Sequence, residues 1–288
     1  MPAKILDGRA LAAELREGLS TRALGLRERG IQPRLLVVVV GEDPSNAAYI
    51  RGMQKLGTAI GIEVVVDNLA ASIDDAAVRT TLERHGSDAT VHGIILQQPL
   101  PAGLSIRRIA DAMPVDKDVD GTNPANAGRL AFATGARFVP ATPAAVMLLL
   151  ERSEKWPLRG CDATVIGRSS VIGLPVSLLL VANDATVTVV HSRTTDSQAH
   201  ARRADVLVVA IGKPEFVDAA WIKPGATVID VGTTVVDGKV RGDVDFDSAV
   251  QIAGELTPVP GGVGPVTNIA LMRNVIDAAE SSVWFSEI

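Results

Sequence analysis

The chain has 288 residues, 47% hydrophobic and 21% charged, with a net charge of −5 and a pI near 5.4. That length suits two domains better than a single core, and the acidic balance argues against nucleic-acid or anionic-membrane partners, which want a basic face. Aromatics are only 3%, so the core must be built from Ala, Val, Leu and Ile, and the single cysteine, Cys161, excludes an internal disulfide and suits a cytoplasmic protein.

The opening stretch, MPAKILDGRALAAEL, has no apolar run behind a basic end, so no secretory signal is expected. A helical pattern over 9–29 leads to a strand at 34–40 (RLLVVVV), a helix at 45–60, a strand at 62–66 and a helix at 74–85. A further strand, HGIIL at 92–96, precedes a connector near 140, where FVPATPAAVMLLLERS carries two prolines and then a helix over 143–153. The second half predicts strands at 163–166, 186–190, 205–210 and 227–231, with a helix at 173–182. A Pro/Gly-rich stretch, TPVPGGVGPVT, precedes a last helix near 266–280. The strands are continuous apolar runs, as expected where helices cover both faces, and the alternation predicts an α/β fold with two parallel sheets. The domains are expected at 1–140 and 141–265, with the final helix, within 266–288, packing back on the first.

ATVIGRSSVIGLPVSLLL carries a strand into Gly167, then Arg168, Ser169, Ser170, and Gly173 at the head of a helix. Free backbone amides and a helix dipole can hold a pyrophosphate there, and glycine allows close approach. The spacing differs from G-x-G-x-x-G, so a plain strand-to-helix turn stays open beside the cofactor reading. The next strand ends in His191-Ser192-Arg193-Thr194, with no carboxylate for a ribose diol. Ser192, Arg193 and Arg168 suit a 2′-phosphate, so NADP is favoured over NAD, although both arginines could simply be solvated. Two more strands end in Gly212 and in Gly232-Thr233, positions suited to a ribose or planar ring near the backbone. The four histidines, at 85, 92, 191 and 200, show no paired ligand spacing, and no metal is expected. His92, in a strand, reads as structural.

GRSSVIGLP, HSRT, ADVLVVAIGKPEF, GATVIDVG, GDVDF and TPVPGGVGPVT, with VVGEDPSNAAY, GIILQQPLP and DKDVDG before them, resemble the bifunctional methylenetetrahydrofolate dehydrogenase/cyclohydrolase family. The resemblance runs from about residue 5 to 280 with the motifs in order. It implies an N-terminal α/β catalytic domain that binds folate, a C-terminal Rossmann-type NADP-binding domain, an active-site cleft between them, and a homodimer. It also implies roles. Tyr49 takes the place of the tyrosine that stacks on the folate's aminobenzoate ring. Gln97 matches the glutamine that bonds a catalytic lysine, Asp120 matches the aspartate that holds the pterin, and Pro260, Gly261 and Gly262 line the site.

The lysine itself is missing: position 53, one helical turn after Tyr49, is methionine. At about 100° per residue, Lys55 lies some 240° around the helix from Tyr49, whereas position 53 lies about 40° away. Further departures are Gln98, Thr122-Asn123, Ala141 and Ala145, nearly all on the folate side. The expected activity is NADP-dependent oxidation of methylenetetrahydrofolate with a weak or absent cyclohydrolase step. Two alternatives stay open: a fully bifunctional enzyme, with Asp120 or water replacing the lysine, and a folate- or nucleotide-binding paralogue with little catalysis.

Overall fold

Valine- and isoleucine-rich runs form the strands of two parallel sheets, because such side chains pack well on pleats covered from both sides. The structure is a computed structural model and describes residues 2–41, 44–132, 135 and 137–286. Residues 14–141 with 268–288 make one compact unit, and 1–13 with 142–267 the other.

The chain opens with β1 (Lys4–Ile5) and α1 (Gly8–Glu28), then alternates β2 (Arg34–Val40), α2 (Pro44–Ile60), β3 (Glu63–Leu69), α3 (Asp75–Gly86) and β4 (Gly93–Leu96). Short helices α4 (Ile106–Ile109) and α5 (Pro124–Ala131) precede α6 (Ala141–Leu150). A second alternation follows: β5 (Asp162–Ile166), α7 (Gly173–Ala182), β6 (Thr186–Val190), α8 (Ser197–Ala201), β7 (Val206–Val209) and β8 (Thr227–Asp230). The chain ends with β9 (Thr234–Val236), β10 (Lys239–Arg241), α9 (Phe246–Ala249), β11 (Glu255–Leu256) and the long α10 (Val263–Ser286).

In the 14–141/268–288 unit the sheet order is β3-β2-β4, all parallel. Central β2 is buried from Leu35 to Val40, so its valines form the middle of the core. Gly57 lets α2 lie close on β3: a Cβ there would come within 2.6 Å of Val64 Cγ2. From α10, Asn274 Nδ2 donates to the carbonyls of Val119 at 2.8 Å and Val139 at 3.0 Å, fixing the segment that carries Asp120.

In the other unit six parallel strands run in the order β1-β11-β8-β7-β5-β6. The first thirteen residues, expected in the N-terminal domain, belong here. Lys4 pairs with Glu255 and Ile5 with Leu256, and Lys4 Nζ bonds Glu255 Oε1 at 3.1 Å. A two-residue strand has no readable period, so nothing in the sequence announces it.

Several expected ends move. The strand at 62–66 starts one residue later and runs on to Leu69, that at 205–210 shortens to 206–209, and the helix at 143–153 becomes 141–150. The sequence expectations do not include the β9–β10 hairpin, whose signal is Asp237-Gly238: both have positive φ, the turn that an Asp-Gly pair supplies between short strands.

Candidate active site

Gly167 closes β5 with φ +124°, and a Cβ there would lie 2.2 Å from the Ala210 carbonyl oxygen. A Cβ on Gly173 would lie 2.3 Å from the Gly167 carbonyl oxygen. Only glycine permits this strand-to-helix turn. The Ser169 hydroxyl accepts from the amides of Ile172 at 3.1 Å and Gly173 at 3.3 Å, capping the start of α7. Arg168, Ser169 and Ser170 are left exposed at the sheet's carboxyl edge.

A cavity of about 380 Å³ opens beside this turn. Gly167, Arg168 and Ser192 line it; Arg193, Gly212, Gly232 and Thr233 do not, Arg193 and Gly212 being exposed next to lining residues in sequence, Thr233 exposed and Gly232 buried. The tip of β6 is a tight turn, with the His191 amide donating to Thr194 Oγ1 at 3.0 Å and the Arg193 amide to His191 Nδ1 at 3.2 Å. Among the cavity-wall residues that sequence reasoning missed are Lys213, Phe216 and Trp221. The Phe216 and Trp221 rings meet at 5.2 Å between centroids, and Lys213 Nζ lies 5.3 Å from the Phe216 ring centre. Two aromatics five positions apart in so aromatic-poor a chain were the available signal. The wall offers two aromatic rings, tilted 55° to one another, beside cationic groups, which suits an adenosine carrying phosphate.

Pro260, Gly261 and Gly262 follow β11 in this same unit. Their backbone is packed against the start of α1: the Arg9 amide donates to the Gly261 carbonyl at 3.1 Å, and a Cβ on Gly8 would lie 1.8 Å from the Gly262 carbonyl oxygen.

The folate-side candidates lie in the other unit. On α2, Ile50, Met53, Gly57 and Ile60 form the buried stripe. Met53 is only 1% exposed, whereas Lys55 lies on the exposed face. Tyr49 is 40% exposed, yet burial around its phenol, and then the charge of Asp120, push its pKa up to about 12. Tyr49 and Asp120 are therefore within electrostatic reach of one another. Gln97 follows β4, its amide bonded to the Val38 carbonyl at 2.8 Å and its Nε2 to the Gln98 carbonyl at 2.9 Å.

Asp120 is partly exposed as a residue, but its carboxyl group is enclosed and receives one long bond, from the Ala141 amide at 3.4 Å. Burial, and to a lesser degree the charge of Asp118, raise it from the ordinary 3.8 to about 6. Between those two values the folded chain binds a proton that the unfolded chain has released. Stability relative to Asp120→Asn is therefore expected to fall as pH rises through that window and to level off above it. The effect is up to ~3 kcal/mol, measurable as urea midpoints of both proteins at either end of the window.

Thr122 and Asn123 have a structural account. Buried Asp118 accepts from the Thr122 amide and hydroxyl, both at 2.9 Å, and from the Asn123 amide and Asn126 Nδ2, both at 2.8 Å. Asn123 also caps α5 through the Ala125 amide at 2.7 Å. Ala145 is fully buried in α6, and Ala141 supplies its amide to Asp120. His92 is buried and accepts from the Arg34 amide at 3.2 Å, and burial, with the nearby charges of Lys117 and Arg34, lowers its pKa. Among the described residues no cluster of three metal-ligating side chains forms, and no helix is long and apolar enough to cross a membrane.

Known proteins share this sequence pattern and fold. Residues 6–120 match the family model for the tetrahydrofolate dehydrogenase/cyclohydrolase catalytic domain, and residues 140–283 match that for the same family's NAD(P)-binding domain. The chain is 46% identical to the bifunctional protein FolD of Dechloromonas aromatica over 97% of its length and 98% of that protein. The crystal structure of the bifunctional FolD dehydrogenase/cyclohydrolase of Campylobacter jejuni superposes with a TM-score of 0.94 at 35% identity, covering 97% of this chain and 99% of that one. The dehydrogenase-cyclohydrolase of Trypanosoma brucei, solved with NADP and an inhibitor, gives 0.92 at 36% identity over 98% and 99%. Full-length identity, both domain matches and the shared fold make this chain a member of the tetrahydrofolate dehydrogenase/cyclohydrolase family.

Proposed function

We propose that this enzyme oxidises 5,10-methylenetetrahydrofolate with NADP to the methenyl form, and that the family's hydrolysis to 10-formyltetrahydrofolate is weak or absent. The carrying observation is position 53, a thioether buried on α2 while Lys55 faces solvent. In the oxidation, the methylene carbon gives a hydride to the nicotinamide as an adjacent nitrogen lone pair closes the double bond. The methenyl cation results, and no proton has to be removed. Placement is the main demand on the protein. Tyr49 would stack on the folate, Asp120 would hold the pterin, and Gly167 to Gly173 would seat the pyrophosphate. Hydrolysis adds water and breaks a carbon–nitrogen bond, and both events move protons. Met53 has none to exchange. The test is accumulation of methenyl product by the purified protein.

Preference for NADP is assigned to Arg168, with Ser192 and Arg193, at a strand tip that offers no carboxylate. Loss of a hydrogen bond from a charged group costs about 1.5–3 kcal/mol. Arg168→Ala is thus expected to lower kcat/KM for NADP about 10–100-fold while leaving the value for NAD nearly unchanged, as steady-state rates with each cofactor would show.

A second reading has one observation in its favour. The Asp120 carboxyl, raised to about 6, could carry the proton that position 53 cannot, making the enzyme fully bifunctional. In that case hydrolysis would be fast in the wild type and lost in Asp120→Asn.

The protein is further proposed to be a cytoplasmic homodimer joined through the nucleotide unit. The outer face of α7 leaves Leu174 46% and Val181 58% exposed, next to edge strand β6. Light scattering is expected to give twice the chain mass, and a monomeric mass would contradict the dimer.

A further inference from the structure

The carboxylate of Asp243, in the GDVDF stretch, is fully buried, and among the described residues none of its hydrogen-bond partners is a cation. Its Oδ2 accepts from the amides of Ile211 at 2.7 Å and Gly212 at 2.9 Å. Both donors belong to the loop that leaves β7, and Ala210 and Ile211 of that loop form part of the cofactor cavity wall. Its other oxygen, Oδ1, has no hydrogen-bond partner among the described residues and abuts Gly232, where a Cβ would lie 2.3 Å away. One side chain therefore sets the loop after β7 and restricts the loop after β8.

Asp243 is in turn held by a second buried carboxylate. Asp230, the last residue of β8, accepts from the amides of Gly232 at 2.9 Å and Asp243 at 3.0 Å through Oδ1, and from Val244 at 2.9 Å through Oδ2. Gly242 makes room for it, since a Cβ there would lie 1.9 Å from Asp230 Oδ2. The order of ties is β8 end, Asp230, segment 242–244, Asp243, loop 211–212. Burying a carboxylate is costly, and each of these two is offset by backbone amides alone. The amides of Ile211, Gly212 and Gly232 belong to the loops after β7 and β8, and those of Asp243 and Val244 to the segment after β10.

We propose that Asp243, seated by Asp230, is a positioning residue for the dinucleotide: it fixes the loops after β7 and β8 in the conformation that receives the cofactor. This rests on the reading that the cavity beside Gly167 takes NADP. It adds a residue that the cofactor need not touch.

The experiment is NADP titration by calorimetry, followed by steady-state kinetics, on the full-length wild type, D243A and D243N. Two charge-assisted bonds are lost in D243A, so KM for NADP is expected to rise about 10–100-fold, with KM for methylenetetrahydrofolate unchanged. D243N keeps an acceptor of about half the strength and is expected to rise only about 3–10-fold. A purely structural lesion would instead raise both KM values together in the folded variant. That result, or a folded D243A with wild-type KM for NADP, overturns the proposal. Should D243A not fold, D243N decides, and an unchanged KM for NADP refutes the positioning role. Failure of the wild type to bind NADP would refute the cofactor reading itself, which keeps the two failures distinct.

Discussion

Met53→Lys is expected to raise the rate of methenyltetrahydrofolate hydrolysis about 10²–10⁴-fold, the usual worth of a positioned acid/base, while leaving the dehydrogenase rate close to that of the wild type. Position 53 is 1% exposed, on the buried stripe of α2 one turn beyond Tyr49. An ammonium placed there loses hydration, so its pKa falls and a usable neutral fraction exists near neutrality. The same burial carries a stability cost, because a desolvated charge replaces a thioether. A lowered melting temperature with restored hydrolysis is therefore the expected pair of results. Lys55 cannot do this from the exposed face of the same helix. If Met53→Lys stays inactive in hydrolysis while folded and active as a dehydrogenase, the missing lysine is not what limits the second step.

Gly167→Ala is expected to abolish cofactor binding more thoroughly than any loss of a charged contact. The residue has φ +124°, and a Cβ would meet the Ala210 carbonyl oxygen at 2.2 Å, a backbone atom that cannot rotate away. Backbone strain of this kind costs about 1–3 kcal/mol before the clash is counted. NADP affinity should fall at least about 100-fold, and the melting temperature should fall with it. Gly18→Ala is the control, because Gly18 lies within α1 with nothing near the added methyl. There alanine is expected to stabilise by roughly 0.5–1 kcal/mol. Calorimetric titration and thermal melts of both variants would check the contrast. Equal behaviour would show that the tight turn is unimportant.

The contrast between these two sites shows what could be read from the chain itself. Strands such as RLLVVVV declare themselves because six consecutive residues, Leu35 to Val40, are buried, and the glycine turn declares itself because its spacing leads from strand to helix. Neither β1 nor β11 does so, since two residues cannot express a period and their pairing joins Lys4 to Glu255 across the whole chain. Asp243 could be seen as part of a motif, but its action on Ile211 and Gly212 exists only after folding brings positions 31 and 32 residues apart together. Thr122 and Asn123 are departures from the family pattern on the folate side, and in the fold they supply donors to Asp118 and a helix cap. Burial of Met53 was not knowable from the sequence. Only the angle between positions 49, 53 and 55 on a helix pointed that way.

The most direct measurement is a paired assay on one preparation of the unaltered protein: reduction of NADP with methylenetetrahydrofolate, and separately the decay of supplied methenyltetrahydrofolate. Steady NADP reduction with methenyl product persisting, lost no faster than without enzyme or only slightly faster, is the predicted result. Rapid conversion of the methenyl form to 10-formyltetrahydrofolate, matching a lysine-bearing relative measured alongside, would contradict it.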